Sequence, residues 1–235
     1  MDWVPLFFID AVCHQMKLDA FKQVSQLSSC WSEFGAEHRE KRREFVFSCT
    51  VDDKEGRYSI KHRTSRTELV IADLNFEFDR IKLVRCDSRN LLTTRVSMEE
   101  LKCDVLPTVA TPVANCYWSD MTHESVQNGI FFKAFKHCPG FNEITVKEEG
   151  KEWLDFIASQ VEFGNVQVFH VYERGSVNWQ QPEKLVKTLK MFINSRRFHE
   201  LIYRPPLRNR FELSELFLER SAAGRQNYDS KNRSQ

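Results

Sequence analysis

The stretch FNEITVKEEGKEWLDFIASQVEFGNVQVFHVY, residues 141–172, decides the fold. Its ends read as short β-strands, Phe141 to Val146 and Val166 to Tyr172, rich in branched and aromatic residues. Between them Trp153, Phe156, Ile157 and Val161 recur with the spacing of one face of an α-helix, and Gly164 stands where a C-terminal capping glycine belongs. Strand, helix, strand in about 30 residues is the unit of a parallel α/β arrangement. The pattern repeats on both sides. Before it, Val113 to Trp118 reads as a strand, Val126, Ile130, Phe131, Ala134 and Phe135 as a helical stripe, and Pro139-Gly140 as its stop. After it, Pro182 suits a first helical position, Leu185, Val186, Leu189, Phe192 and Ile193 line one face, and His199 to Tyr203 forms a further strand.

Strand centres at Ile144, Val168 and Leu201 lie 24 and 33 residues apart, near the period of solenoids that carry one strand and one helix per unit. The expected fold class is therefore α/β: a small helical N-terminal module followed by an irregular leucine-rich-repeat-like strand–helix solenoid. A compact α/β layer sandwich is the alternative. Upstream, Phe45, Phe47 and Cys49 alternate with Val46, Ser48 and Thr50, and Tyr58, Ile60 and His62 continue the alternation beyond the turn-like Asp52 to Gly56, which predicts a hairpin. Glu68 to Ala72 and Ile81 to Cys86 lean towards strand, Met98 to Leu106 is ambiguous, and Pro107 to Pro112 reads as a connection.

Residues 4 to about 43 read as three helices. Ile9, Val12, Cys13 and Met16 paint one face of the first; Asp19 is a candidate N-cap for a second with Phe21, Val24 and Leu27; Trp31 and Phe34 belong to a third, which runs into the charged stretch His38 to Glu44. The organisation expected is 1–44 helical module, 45–221 repeat-like domain, with Phe211 to Leu218 as a short capping helix, and 222–235 a polar, disordered tail.

The order Val4-Pro5, then Ile9, Val12 and Met16, then Asp19, Val24 and Trp31 resembles the F-box, whose motif opens on Leu-Pro and closes near Val-x-x-x-Trp. Together with the strand–helix units behind it, the chain is similar to the F-box-like proteins expanded in nematodes. The resemblance implies a helical N-terminus that docks a Skp1-like protein and a C-terminal region that recognises a protein substrate within a cullin ubiquitin ligase. The residues that would dock are Pro5, Leu6, Phe7, Ile9, Val12 and Met16. Independently, Pro5 to Ile9 crowds more apolar side chains into one segment than a single helix face can hide, so the surplus is left either for burial against residues 45–86 or for a partner groove.

Composition narrows the remaining classes. With 34 Lys and Arg against 33 Asp and Glu, the formal charge is +1, whereas a nucleic-acid binder ordinarily carries a surplus of cations. The basic run His38, Arg39, Lys41, Arg42 and Arg43 is interrupted by glutamates and reads as a solvated helix face. Arg196, Arg197, Arg204, Arg208 and Arg210 form a second basic stretch, with aromatics between them that the strand and cap cores need. The mean hydropathy is −0.49, and no apolar run approaches the ~20 residues that span a bilayer. The start, Met1 to Ile9, lacks the basic residues and long apolar core of a signal peptide. Seven cysteines, spread without any C-x-x-C pair, suit reduced thiols in the cytoplasm or nucleus.

No nucleophile, phosphate-loop or metalloprotease motif occurs, and only 8 glycines are present. His123 and Glu124 fall in a first helical turn, and His170 reads as a satisfied core histidine. His137-Cys138 is the nearest approach to a zinc pair, and adjacency does not make a site. The chain is thus expected to be a non-enzymatic protein-interaction adaptor with no cofactor and no metal. A free-standing binding scaffold without a ligase link, or a nucleic-acid-binding protein, are the alternatives.

Overall fold

The structure is a computed structural model, and it describes residues 4–27, 30–51, 55–86, 93–120, 125–146, 151–172 and 182–204. The chain is mixed α/β with a largely open sheet. The helical start consists of α1 (Leu6–Gln15), a 3-10 turn (Leu18–Ala20), α2 (Phe21–Val24) and α3 (Cys30–Lys41). Asp19 lies inside the 3-10 turn and does not cap a helix with its side chain.

The hairpin is β1 (Glu44–Val51) and β2 (Glu55–His62), paired antiparallel. Strict alternation along β1 puts Phe45, Phe47, Cys49 and Val51 in the core and their neighbours on the other face. Strand β3 is only Glu68–Leu69, followed by a 3-10 turn at Ile71–Asp73. The strand expected to run to Ala72 stops because the Asp73 carboxylate accepts the Val70 N–H at 3.4 Å, a local bond that competes with the ladder.

β4 (Arg80–Cys86) returns parallel to β1, and β5 (Thr94–Ser97) pairs with β2. Ser97 then caps α4 (Met98–Glu100) by accepting the Glu100 N–H at 3.1 Å. The expected connection around Pro107 is instead helical, through a π-helical turn at Leu101–Val105 and α5 (Leu106–Ala110). A proline removes one N–H and crowds the carbonyl four residues back, and the wider turn just before Pro107 absorbs both effects.

From there the chain runs β6 (Val113–Asp120), α6 (Ser125–Phe135), β7 (Phe141–Val146), α7 (Lys151–Glu162), β8 (Val168–Tyr172), α8 (Pro182–Ile193) and β9 (Glu200–Arg204). Among the described residues the sheet has nine strands, in the order β3-β2-β1-β4-β6-β7-β8-β9 with β5 on β2, and every pairing from β1 to β9 along that path is parallel. Helices α6, α7 and α8 pack side by side in sequence order. Phe131, Phe135, Trp153, Phe156, Leu189 and Phe192 are their deepest residues, sharing one core with Phe47, Val84, Phe141, Ile144 and Phe169 of the strands. Gln160 of α7 donates to the carbonyls of Phe135 and Lys136 at the end of α6, satisfying acceptors that the helix terminus leaves open.

A second, smaller core of Ile9, Cys13 and Phe21, backed by Val4, Met16, Cys30, Trp31 and Phe34, lies within the helical start. The capping helix expected at 211–218 and the tail after 222 fall outside the described residues, as do His123 and Glu124. Among the described residues no helix is long and apolar enough to cross a membrane.

Candidate functional site

Helix α1 begins on Pro5, whose carbonyl accepts the N–H groups of Phe8 and Ile9. Its buried stripe is narrow, since Ile9 and Cys13 alone are inside. Leu6, Phe7 and Phe8 occupy the preceding turn and are 56%, 78% and 49% exposed. Three consecutive residues span more than half of a helix circumference, so no rotation of α1 could bury all three. Of the residues expected to dock a partner, Pro5, Leu6 and Phe7 are at the surface, while Val12 and Met16 are half-buried. Ile9 is 1% exposed and belongs to the module's own core, so it holds α1 in place and is not part of a contact surface. Phe8, part of the same apolar run but not of that docking set, joins the exposed tip.

On the neighbouring side of α1, Asp10 and His14 stand one helical turn apart, and His38 reaches in from α3. One carboxylate oxygen of Asp10 lies 3.0 Å from His14 Nε2 and the other 2.9 Å from His38 Nε2. The His38 ring stacks on Phe21 at 5.7 Å and meets Phe78 edge-on at 5.4 Å. Arg42, one turn further along, donates to the carbonyls of Cys13 and His14 at 3.1 and 2.9 Å, closing the C-terminal end of α1, and its guanidinium lies 5.2 Å from the Phe21 ring centroid. The stretch from His38 to Arg43 is therefore not simply a solvated face. His38 and Arg42 are buried because they take their partners from α1 across a gap of 28 to 29 residues, which local charge alternation does not reveal.

Between the helical start and the sheet lies a cleft of about 730 Å³, lined by Lys17, Lys22, Arg39, Lys82, Tyr117 and Glu143 among others. Lys82 is placed by a β-bulge: Phe45 and Val46 of β1 oppose Ile81 and Leu83 of β4, leaving Lys82 as the extra residue. A matching irregularity puts Asn142 between Phe141 and Glu143 opposite Cys116 and Tyr117, and Asn142 lines the same cleft. Lys82 is only 8% exposed. Burial, reinforced by the charges of Arg42 and Arg80 and opposed by that of Glu44, pulls its ammonium down to about 8.

Below pH 8 Lys82 is charged in both folded and unfolded chains, and the folded state bears the full desolvation cost. Between about 8 and the ordinary value of 10.5 the unfolded chain binds the extra proton, so stability rises with pH across that window. Lys82→Met is accordingly expected to raise the unfolding free energy at pH 7 by about 1–2 kcal/mol and to flatten the rise between pH 8 and 10.5. Urea titrations at several pH values check this, and a variant less stable than the parent at pH 7 would contradict it.

Across the strands, the Tyr117 hydroxyl donates to Thr145 Oγ1 at 3.0 Å, and His170 Nδ1 lies 3.5 Å from the same oxygen. His170 is half-buried, on the opposite sheet face from the fully buried Phe169. Arg196 and Arg197 are exposed, whereas Phe198 packs on Phe192 at 5.2 Å, as the strand core required. All seven cysteines are free thiols. Burial pushes Cys138 up to about 11 and holds Cys116 well above the ordinary thiol value, so both are protonated near neutral pH.

No family model matches the chain, and neither a curated protein nor a solved structure matches it.

Proposed function

We propose that the protein is a non-enzymatic adaptor whose helical start docks a Skp1-like protein and whose strand–helix units form an irregular leucine-rich-repeat-like platform for a protein substrate. The observation that carries this reading is the apolar tip of α1: Leu6, Phe7 and Phe8 are exposed together on a helix anchored from behind by Ile9 and Cys13. Exposing three adjacent large apolar residues costs solvation free energy with no return to the fold, and seating them in a partner's groove recovers it. The F-box-like order of Pro5, Val12, Met16, Val24 and Trp31 supports a Skp1-like protein as the occupant. The sheet order, in which each strand from β6 onward lies beside the next, supports a stacked platform.

The test is capture of a Skp1-like protein by the full chain. Phe7→Asp and Phe8→Asp are the informative variants, because both side chains are exposed and neither change disturbs the module core; Ile9→Asp would unfold it instead. Each is expected to weaken binding by about 30-fold or more, the range of an interface anchor, with an unchanged circular dichroism spectrum. Failure of the parent protein to bind would discard the ligase link and leave a free-standing scaffold.

A further inference from the structure

We propose that Asp10, His14 and His38 form a divalent transition-metal site, of the zinc type, that clamps α1 to α3. This inference is independent of the adaptor reading. It rests on three donor atoms, Asp10 carboxylate oxygen, His14 Nε2 and His38 Nε2, that lie within 4.8 Å of one another and come from two helices. Both imidazoles aim the same nitrogen at the same carboxylate, at 3.0 and 2.9 Å. The rings are held by packing as well as by Asp10: His38 is fixed between Phe21 and Phe78, and His14 meets it edge-on at 4.9 Å with planes at 89°. Zinc bonds of about 2.0–2.2 Å to nitrogen and oxygen require only a modest contraction of this triangle. Asp10 is 38% and His14 24% exposed, against 1% for His38. One side of the triangle thus reaches solvent, giving ions access and leaving room for water as a fourth ligand.

The proton inventory sets the strength. A metal on Nε2 takes that nitrogen's lone pair, so a ring proton in the bound state lies on Nδ1. Among the described residues, Nδ1 of both rings is buried without a hydrogen-bond partner. The site thus forgoes the about 10- to 100-fold in affinity that outer-shell acceptors contribute at typical sites, and Arg42 and Arg80 add repulsion. Arg42 bonds the His14 carbonyl, and Asp10 acts electrostatically on Arg80. The site is therefore weaker than a structural zinc site.

The experiment titrates the full-length protein with Co²⁺ and then displaces it with Zn²⁺. The expected result is one Co²⁺ per chain, visible d–d absorption without a thiolate-to-cobalt charge-transfer band, and a zinc-dependent rise in the thermal midpoint. His14→Ala, which removes the more exposed ring, is expected to weaken binding tenfold or more. Asp10→Asn provides a second variant should His14→Ala fail to fold, with the same loss expected. No stoichiometric binding at hundred-micromolar metal, a charge-transfer band assigning the metal to cysteines, or affinity undiminished in the folded variants would each overturn the proposal.

Discussion

Arg43→Met is expected to lower the unfolding free energy by about 3–5 kcal/mol, and Asp79→Ala by only about 2, although the two residues form one pair. Asp79 is fully buried and accepts from Arg43 Nε at 2.8 Å, Arg43 Nη2 at 2.7 Å and the Asn75 N–H at 2.7 Å. Arg43, by contrast, is 42% exposed. Removing the arginine strands a carboxylate in the interior with one remaining donor. Removing the carboxylate leaves a guanidinium that can turn to water, so its charge is never isolated. Methionine is the right replacement because it keeps an apolar stem over the Phe45 ring, where the Arg43 guanidinium now sits at 5.4 Å. The double variant should then be less destabilised than the sum of the singles by 1 kcal/mol or more, since the stranded charge has gone. Urea unfolding of the four proteins measures the cycle. Equal single effects, or strict additivity, would mean that the pair carries no buried charge penalty. The location gives the pair its weight: Arg43 joins α3 to β1, and Asp79 precedes β4, whose Arg80 N–H donates to the Arg43 carbonyl.

Elements whose burial is set by their own sequence are the ones that can be read in advance. Phe141–Val146, the helix carrying Trp153, Phe156, Ile157 and Val161, and the alternation of Phe45, Phe47 and Cys49 each report one buried face at a local period, and each element forms where the period places it. Gly164 has φ +71°, as a helix-ending glycine should. The misreadings share another cause. Arg42 and His38 look like surface charge because their partners, Cys13, His14 and Asp10, are 28 to 29 residues away. Two of the three members of the Asp10–His14–His38 cluster share α1 at i,i+4 spacing, which carries no signal by itself; the third depends on how α1 crosses α3. Lys82 sits in an ordinary-looking strand, and only the register slip against β1 turns it into the cleft. Ile9 shows the converse: the apolar crowding at Pro5 to Ile9 was plain, but which of those side chains faces inward is decided by Cys13 and Phe21.

Gly140→Ala is expected to cost about 3 kcal/mol, several times the effect of Gly164→Ala, although Gly140 has no left-handed backbone and Gly164 does. Gly164 lies two residues past the end of α7 and Gly140 in the turn that enters β7, so backbone preference alone ranks them the other way. The space around them reverses the order. A Cβ on Gly140 would fall 2.2 Å from the Val113 carbonyl oxygen and 2.7 Å from its carbon, whereas one on Gly164 meets nothing within 4 Å. Backbone cannot swing aside like a side-chain tip, and here it is tied on both sides. The Gly140 carbonyl accepts the Cys116 N–H at 2.8 Å, and the Pro112 carbonyl accepts the Ile81 N–H at 3.0 Å. Moving Val113 would therefore pull β6 away from β4 and β7 together, in the middle of the parallel run. Gly164→Ala pays only the strain of a positive φ, about 1 kcal/mol. Paired urea titrations decide the matter, and amide exchange locates it: Gly140→Ala should expose Cys116 to Ser119 and Phe141 to Thr145 first, while leaving α8 protected. Destabilisation by Gly140→Ala equal to or smaller than that by Gly164→Ala would show that the β6–β7 contact yields more easily than its hydrogen bonds imply.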